Sequence, residues 1–467
     1  MIKEISRRVL LPGMCILLIL LAGCATDQAE EHPAKITPIT LPSSTVSPSP
    51  ASSTDWTTYH HDNTRAGYVK NAPDPSRLTR AWSVQLDGAV YAEPLVVGNR
   101  VIVATEGDTL YALNRNTGKT LWHTNVGTPV PQSALPCGDI DPLGITGTPV
   151  YDPATGLVFA VAEIQGPAHI LVGVDVNTGK VRVRRLADIP AMDPTAHQQR
   201  AALALSHNMV YIAYGGLDGD CSDYIGTVVA SRTNGTGPLL SYRVPTAREG
   251  GIWAASGPAV DGAGNVYVAV GNGASTQGSW DHSDSVLRLS PALQLEGGFA
   301  PVQWQQDNAS DADLGSTGPI LLPGGLIFAD GKSGLGYLLH ADALGGVGGQ
   351  AQVKSICHSF GGFAAAGLQV YVPCENGLLQ VTVGPGATLT PGWQAPANIT
   401  GSPIVGGHTV YSLDTGGGTL YALNAASGAV RATLSVGATS RFATPTLSGN
   451  LVFVGTLTGI VAVTIVP

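Results

Sequence analysis

Charge is scarce in this chain. Only 12% of its 467 residues are Asp, Glu, Lys or Arg, and the formal net charge is −9. Nothing in that balance would neutralise a phosphate backbone, so no nucleic-acid partner is expected. Helix signals are also missing: beyond the N-terminus no stretch keeps a 3.6-residue apolar period with a cap at each end, and almost no helix is expected there. No apolar run reaches the roughly 20 residues that a membrane-spanning helix needs. GxSxG, HExxH, CxxC and HxxxH spacings are all absent, which removes nucleophile-elbow hydrolases, zinc peptidases and thiolate metal sites from consideration. What the chain has instead is 60 Gly and 32 Pro, the composition of a turn-rich, all-β protein long enough for a large assembly of strands.

The hexapeptide TLYALN occurs at Thr109 to Asn114 and again at Thr419 to Asn424. Between the copies a weaker module recurs, with first strands beginning near Pro94, Pro149, Leu203, Pro258, Pro319, Ala364, Pro403 and Pro445. Segments such as Val101-Ile102-Val103, Val210-Tyr211-Ile212, Val266-Tyr267-Val268 and Val370-Tyr371-Val372 are β-branched and aromatic, the pattern of strands packed on both faces. Repeats of a few tens of residues made only of strand and turn predict a propeller. The eight starts predict an all-β, eight-bladed β-propeller of four-stranded blades. The last copy, from Phe442 to Val466, has three strands, and Leu78 to Leu86 at the other end supplies a fourth. The N-terminal strand is therefore expected to complete the last blade and leave no sheet edge free.

Residues 1–24 read as an export signal. Lys3, Arg7 and Arg8 precede the apolar run Val9 to Leu21, and Leu21-Ala22-Gly23-Cys24 resembles a bacterial lipoprotein cleavage box, which would make Cys24 the lipidated first residue of the mature chain. Residues 25–54, rich in Pro, Ser, Thr and Glu, cannot bury a core and read as a disordered tether. Residues 55–467 are expected to form the propeller domain. Four further cysteines suit an oxidising compartment. Of the three pairings, Cys137 with Cys221 and Cys357 with Cys374 are expected, the alternative being four buried thiols.

The segment Asp55-Trp56, Tyr59, Arg65-Ala66-Gly67, Ala81-Trp82 and the block YALNRNTGKTLW from Tyr111 to Trp122 resembles the opening of PQQ-type (quinoprotein alcohol dehydrogenase-like) propeller proteins. The resemblance implies a docking motif, Asn-x-x-Thr-Gly-x-x-x-Trp, whose Trp stacks on the neighbouring blade while its Gly closes the turn. The motif is complete once; Val183 replaces the Trp in blade two, and Gly428 is kept without the aromatic. Two functional branches follow from the resemblance. One is the PQQ- and calcium-dependent quinoprotein dehydrogenases, which oxidise alcohols or sugars. The other is non-catalytic and includes the lipoprotein that helps to assemble outer-membrane β-barrels.

Carried over residue by residue, the enzyme branch implies Glu163 and Asn272 as calcium ligands, Trp253 as the floor under the quinone, and Asp311 or Asp313 as the base. Calcium takes hard oxygen donors and would polarise a quinone carbonyl, so these residue types suit that chemistry. The vicinal disulfide of that branch is missing, because Gly138 follows Cys137. Each residue also has a structural alternative: a tight turn for Asn272, a solvated charge for Glu163, and gap filling for Trp253. His60 and His61 are expected to be structural, in a segment packed across the propeller, and Asp281 to Asp284 to form a mobile loop. The sequence thus predicts an exported, lipid-anchored, monomeric propeller facing the extracytoplasmic side of the cell membrane or outer membrane. It would serve there as a binding or scaffold module for an envelope protein or small ligand, needing no cofactor; the alternative is a PQQ- and calcium-dependent dehydrogenase.

Overall fold

The computed structural model describes residues 54–189 and 192–467. The expected signal, Cys24 and nearly all of the tether lie outside the described residues. The rest forms eight sheets built on four main strands, joined in sequence order from the hub outward in seven of them, while the eighth takes its outer strand from the N-terminal side; three sheets carry a short fifth strand. Blade 1 shows the pattern: Leu95–Val97, Arg100–Ala104, Thr109–Asn114 and Thr120–Asn125, each antiparallel to the next. Burial follows position in the blade. Second strands lie between two neighbouring sheets, and all five residues of Val266–Val270 are buried. Fourth strands line the rim and alternate in exposure, as in Thr120–Asn125. β-Branched residues fill the inner strands because both of their faces meet packed neighbours.

The ring closes as expected. Arg77–Gln85 runs antiparallel to Gly459–Val466 with Trp82 opposite Ala462, adding the fourth strand to Thr446–Ser448, Leu451–Thr456 and Gly459–Val466. Ser76 Oγ donates to the carbonyl oxygen of Pro467 at 2.8 Å, so the two ends of the ring meet. Blades then dock through their turns. The indole of Trp82 lies over Gly118 of blade 1, where an added Cβ would sit 2.7 Å from the ring, and its Nε1 donates to Arg115 O. Trp122 treats Gly179 of blade 2 in the same way, with Nε1 donating to Val176 O, and Trp393 of blade 6 treats Gly428 of blade 7, with Nε1 donating to Ala425 O. Each of these glycines has a positive φ, from 70° to 71°. Gly428 is retained because its indole comes from the preceding blade. Val183 covers Gly235 where the Trp is absent.

Residues 54–69 fill the hub and touch every blade. Trp56 exchanges backbone hydrogen bonds with Val96 of blade 1. The carbonyls of Thr57, Asn63, Thr64, Ala66 and Gly67 accept from Tyr151, Val260, Leu321, Ala365 and Val405, on the innermost strands of blades 2, 4, 5, 6 and 7. Asn63 Nδ2 donates to Leu205 O of blade 3, and His60 Nε2 meets Thr444 Oγ beside blade 8 at 3.0 Å. Arg65, 1% exposed, donates to Thr58 Oγ, Tyr59 O, Leu203 O and Pro258 O. His60 is fully buried, and burial pushes its pKa down to about 3. Its role is structural, in a segment that crosses the propeller.

Two details add to or depart from the sequence-based reading. One short helix, Trp304–Ser310, stands between blades 4 and 5, anchored by buried Trp304, Asp307 and Asn308. Asp281 to Asp284 is not a loose loop: Ser283 and Asp284 are fully buried, and Asp284 Oδ1 accepts from Leu314 N at 2.6 Å.

Candidate functional site

Loops that follow second strands and precede first strands gather at one end of the ring around a cavity of about 500 Å³. Trp253, Asn272, Asp311 and Asp313, which come from three loops, all line it. Asn272 stands just past the strand Val266–Val270; its φ is not in the left-handed region, and its carbonyl accepts from Gly250 N. Glu163 is not part of the lining. It is buried at the end of Leu157–Ile164, with Oε1 accepting from Gln199 N at 2.7 Å and Oε2 facing His169 Nε2 at 3.5 Å. Burial alone would keep His169 neutral, but Glu163 on one side and Asp188 at 2.7 Å on the other push its pKa up to about 9. Glu163 therefore acts as a structural counter-ion between blades 2 and 3.

The cavity is a ladder of aromatic rings and cations. Lys332 Nζ sits 5.6 Å from the centre of the Trp253 ring, and Trp253 packs at 6.2 Å against Phe442. Arg200 lies 5.3 Å from the centre of Phe442, and Arg441 lies 5.6 Å from Phe442 and 4.3 Å from Phe360. Guanidinium on aromatic faces is an arrangement of about 0.5–2 kcal/mol per contact. Lys332 also pairs with Asp311 Oδ1 at 2.6 Å and Asp313 Oδ2 at 2.7 Å. Burial raises Asp313 above the ordinary aspartate range despite that ammonium. Burial likewise opposes the charge of Lys332, but Asp313 and Asp311 outweigh it and hold the amine above its usual range. Behind this wall burial lifts Asp284 well above the ordinary aspartate range and Asp307 up to about 6.

Sequence reasoning missed Lys332, Arg200, Arg441 and Phe442. A signal was present for the first: Glu106, Glu163, Asn272 and Lys332 all stand at or just past the second strand of their blade, so aligning the repeats by that strand selects Lys332. The expected disulfides, Cys137–Cys221 and Cys357–Cys374, are both formed. The first ties the loop carrying Asp218 and Asp220, which form part of the cavity wall, to the loop entering blade 2.

Fold and repeat together define the class: the chain is an eight-bladed β-propeller with PQQ-like repeats. A family model described as outer membrane protein assembly factor BamB matches residues 74–187 and 382–464, leaving Trp253, Asn272, Asp311, Asp313 and Lys332 outside the matched segments. The chain is 32% identical over 148 residues to outer membrane protein assembly factor BamB of Escherichia coli K12, and equally to that of Shigella dysenteriae; the match spans 26% of this chain and 37% of either relative. Among solved structures, a europium-containing methanol dehydrogenase superposes with a TM-score of 0.70 at 14% identity, covering 89% of this chain and 98% of that one. The quinohemoprotein alcohol dehydrogenase of Comamonas testosteroni gives 0.66 at 16% identity, covering 88% and 80%. BamB of Moraxella catarrhalis gives 0.58 at 16% identity, covering 83% and 99%. At such identities the likeness is one of fold.

The enzyme branch implies calcium, which takes six to eight oxygen donors in most protein sites. Among the described residues no group of three or more His, Cys, Asp or Glu side chains is placed to hold a metal ion. Glu163 is committed to Gln199 and His169, and Asp311 and Asp313 share Lys332. The donor set does not fit calcium.

Proposed function

We propose that this chain is an exported, lipid-anchored β-propeller of the bacterial cell envelope that works as a binding module and takes a small polar ligand in its axial cavity. The observation that carries this reading is the cavity itself. Its volume of about 500 Å³ lies within the range of roughly 300–1,000 Å³ typical of small-molecule sites. Trp253, Phe360 and Phe442 offer apolar faces beside Arg200, Arg441 and Asn272, which offer hydrogen bonds. Two disulfides accord with an oxidising compartment outside the cytoplasm. Lipidation at Cys24 and attachment to the cell membrane or outer membrane belong to this reading, and the partial likeness to an outer-membrane assembly factor supports it.

Native mass spectrometry of the chain purified from its own envelope tests the proposal. A small-molecule adduct is expected on the wild-type chain and not on a folded Trp253→Ala variant. No adduct, together with photo-crosslinks from Asp218 to an envelope protein, would replace a ligand site with a scaffold surface. A second reading, a PQQ-dependent dehydrogenase with Asp311 or Asp313 as base, draws on the fold of the solved neighbours and on the meeting of Trp253, Asn272, Asp311 and Asp313 in one cavity. It predicts a quinone absorption band retained through gel filtration after mixing with PQQ and calcium, and alcohol-dependent dye reduction lost in Asn272→Ala.

A further inference from the structure

The acidic end of the cavity already holds a cation, and it belongs to the chain. Lys332 Nζ reaches Asp311 Oδ1 at 2.6 Å and Asp313 Oδ2 at 2.7 Å. The Asp313 side chain is 1% exposed, and a carboxylate so buried needs a nearby positive charge to stay ionised. The backbone holds the partners in register, because Lys332 N donates to Asp313 O at 3.0 Å. Gly331 makes the approach feasible: a Cβ there would lie 2.5 Å from Asp313 O.

The oxygen donors that a divalent ion would need at this point are spent. Asp311 and Asp313 face the ammonium, Glu163 faces Gln199 N and His169, and Asp220 on the opposite wall accepts from the Tyr224 hydroxyl; of the ligands that the resemblance implies, Asn272 alone remains, uncharged. An ammonium has three N–H donors. Asp311 Oδ1 accepts one of them and Asp313 Oδ2 lies within ion-pair distance, which leaves at least one for an acceptor brought by a ligand. We infer that Lys332 is the resident cation of this cavity, a tethered ammonium that balances Asp311 and Asp313 in place of a divalent metal and receives an acceptor oxygen of the bound ligand. The last part rests on the cavity being the ligand site; the replacement of a metal rests on the ion pairs alone.

Terbium(III), a hard cation that luminesces when a nearby indole transfers energy to it, separates the two. The whole purified chain should show no saturable Trp-sensitised terbium emission from this site. Lys332→Met frees both carboxylates and should gain it, with apparent affinity improved on the order of tenfold or more, since affinity in such sites follows ligand charge. Adding Asp313→Asn to Lys332→Met should return emission to the wild-type level, and Lys332→Arg should stay silent. Saturable emission from the wild-type chain that Asp313→Asn abolishes would overturn the inference, as would a folded Lys332→Met variant that gains nothing. Should Lys332→Met fail to fold, Lys332→Gln and the wild-type titration still decide. No organic ligand enters the measurement, so failure of the ligand-site reading would appear only in the adduct experiment and failure of this one only here.

Discussion

Single residues decide both the electrostatics and the strain of this ring. Glu106 and Asp108 are buried carboxyls, and burial pushes each up to about 8. In the unfolded chain they titrate near 4, so their contribution to stability is full below about pH 4 and declines until about pH 8. His169 acts with the same sign: its pKa of about 9 in the fold exceeds the unfolded value of about 6.5, so its contribution is lost between those values. Thermal melts should therefore show a melting temperature that falls from pH 5 to pH 9. Asp108→Asn should flatten the fall and raise the melting temperature at pH 8; a profile that climbs over this range would refute the assignment. Glycines offer a second test. Gly428 and Gly449 both have positive φ, but only Gly428 has an indole within 2.5 Å of where a Cβ would stand. Gly428→Ala should cost about 1–3 kcal/mol more than Gly449→Ala in urea unfolding, the usual scale of overpacking.

At the level of elements, blades were legible in the sequence and the loops between them were not. Strand pairs such as Val266-Tyr267-Val268 declare themselves because both faces are packed and period and composition agree. The closing strand was legible too, since Trp82 repeats the place of Trp122 against a turn glycine. The cavity was half legible. Asn272 and Asp313 were found by resemblance, but Arg200, Arg441 and Phe442 sit in irregular loops where nothing local signals that a distant blade stands opposite. Glu163 was misleading for the same reason: position in the blade says where a side chain begins, and only the neighbouring Gln199 and His169 decide where it points. Trp304–Ser310 escaped notice because seven residues are too few to show a helical period. The element with the clearest consequence is Arg77–Gln85. Deleting the residues before Leu86 would bare the strand Gly459–Val466 as an open edge. Such a chain should aggregate or associate, with a mass by light scattering above that of the intact chain under the same conditions.

The whole molecule is held from its centre as well as around its circumference. Arg65 alone bonds to the blade 3 carbonyl of Leu203, the blade 4 carbonyl of Pro258 and its own segment. Arg65→Met would strip Pro258 O and Tyr59 O of the guanidinium and leave Leu203 O only the longer bond from Thr58 Oγ1 at 3.4 Å, at about 1–3 kcal/mol for each acceptor left unpaired. Denaturant unfolding should show a loss on the order of 3 kcal/mol, and a loss under 1 kcal/mol would mean that the hub is dispensable. Pairing of residues 54–86 with every blade and with the final strand also gives the fold many contacts distant in sequence, so refolding is expected to be slow.

The route by which the chain enters the hub has a mechanical meaning. Asp55 accepts from Gly98 N and Thr54 O from Ser448 Oγ, at hairpins on the end of the ring away from the cavity. A force pulling on whatever precedes Thr54 would thus be delivered to the axle of the wheel and spread over its eight spokes, so that no single rim strand is peeled away first.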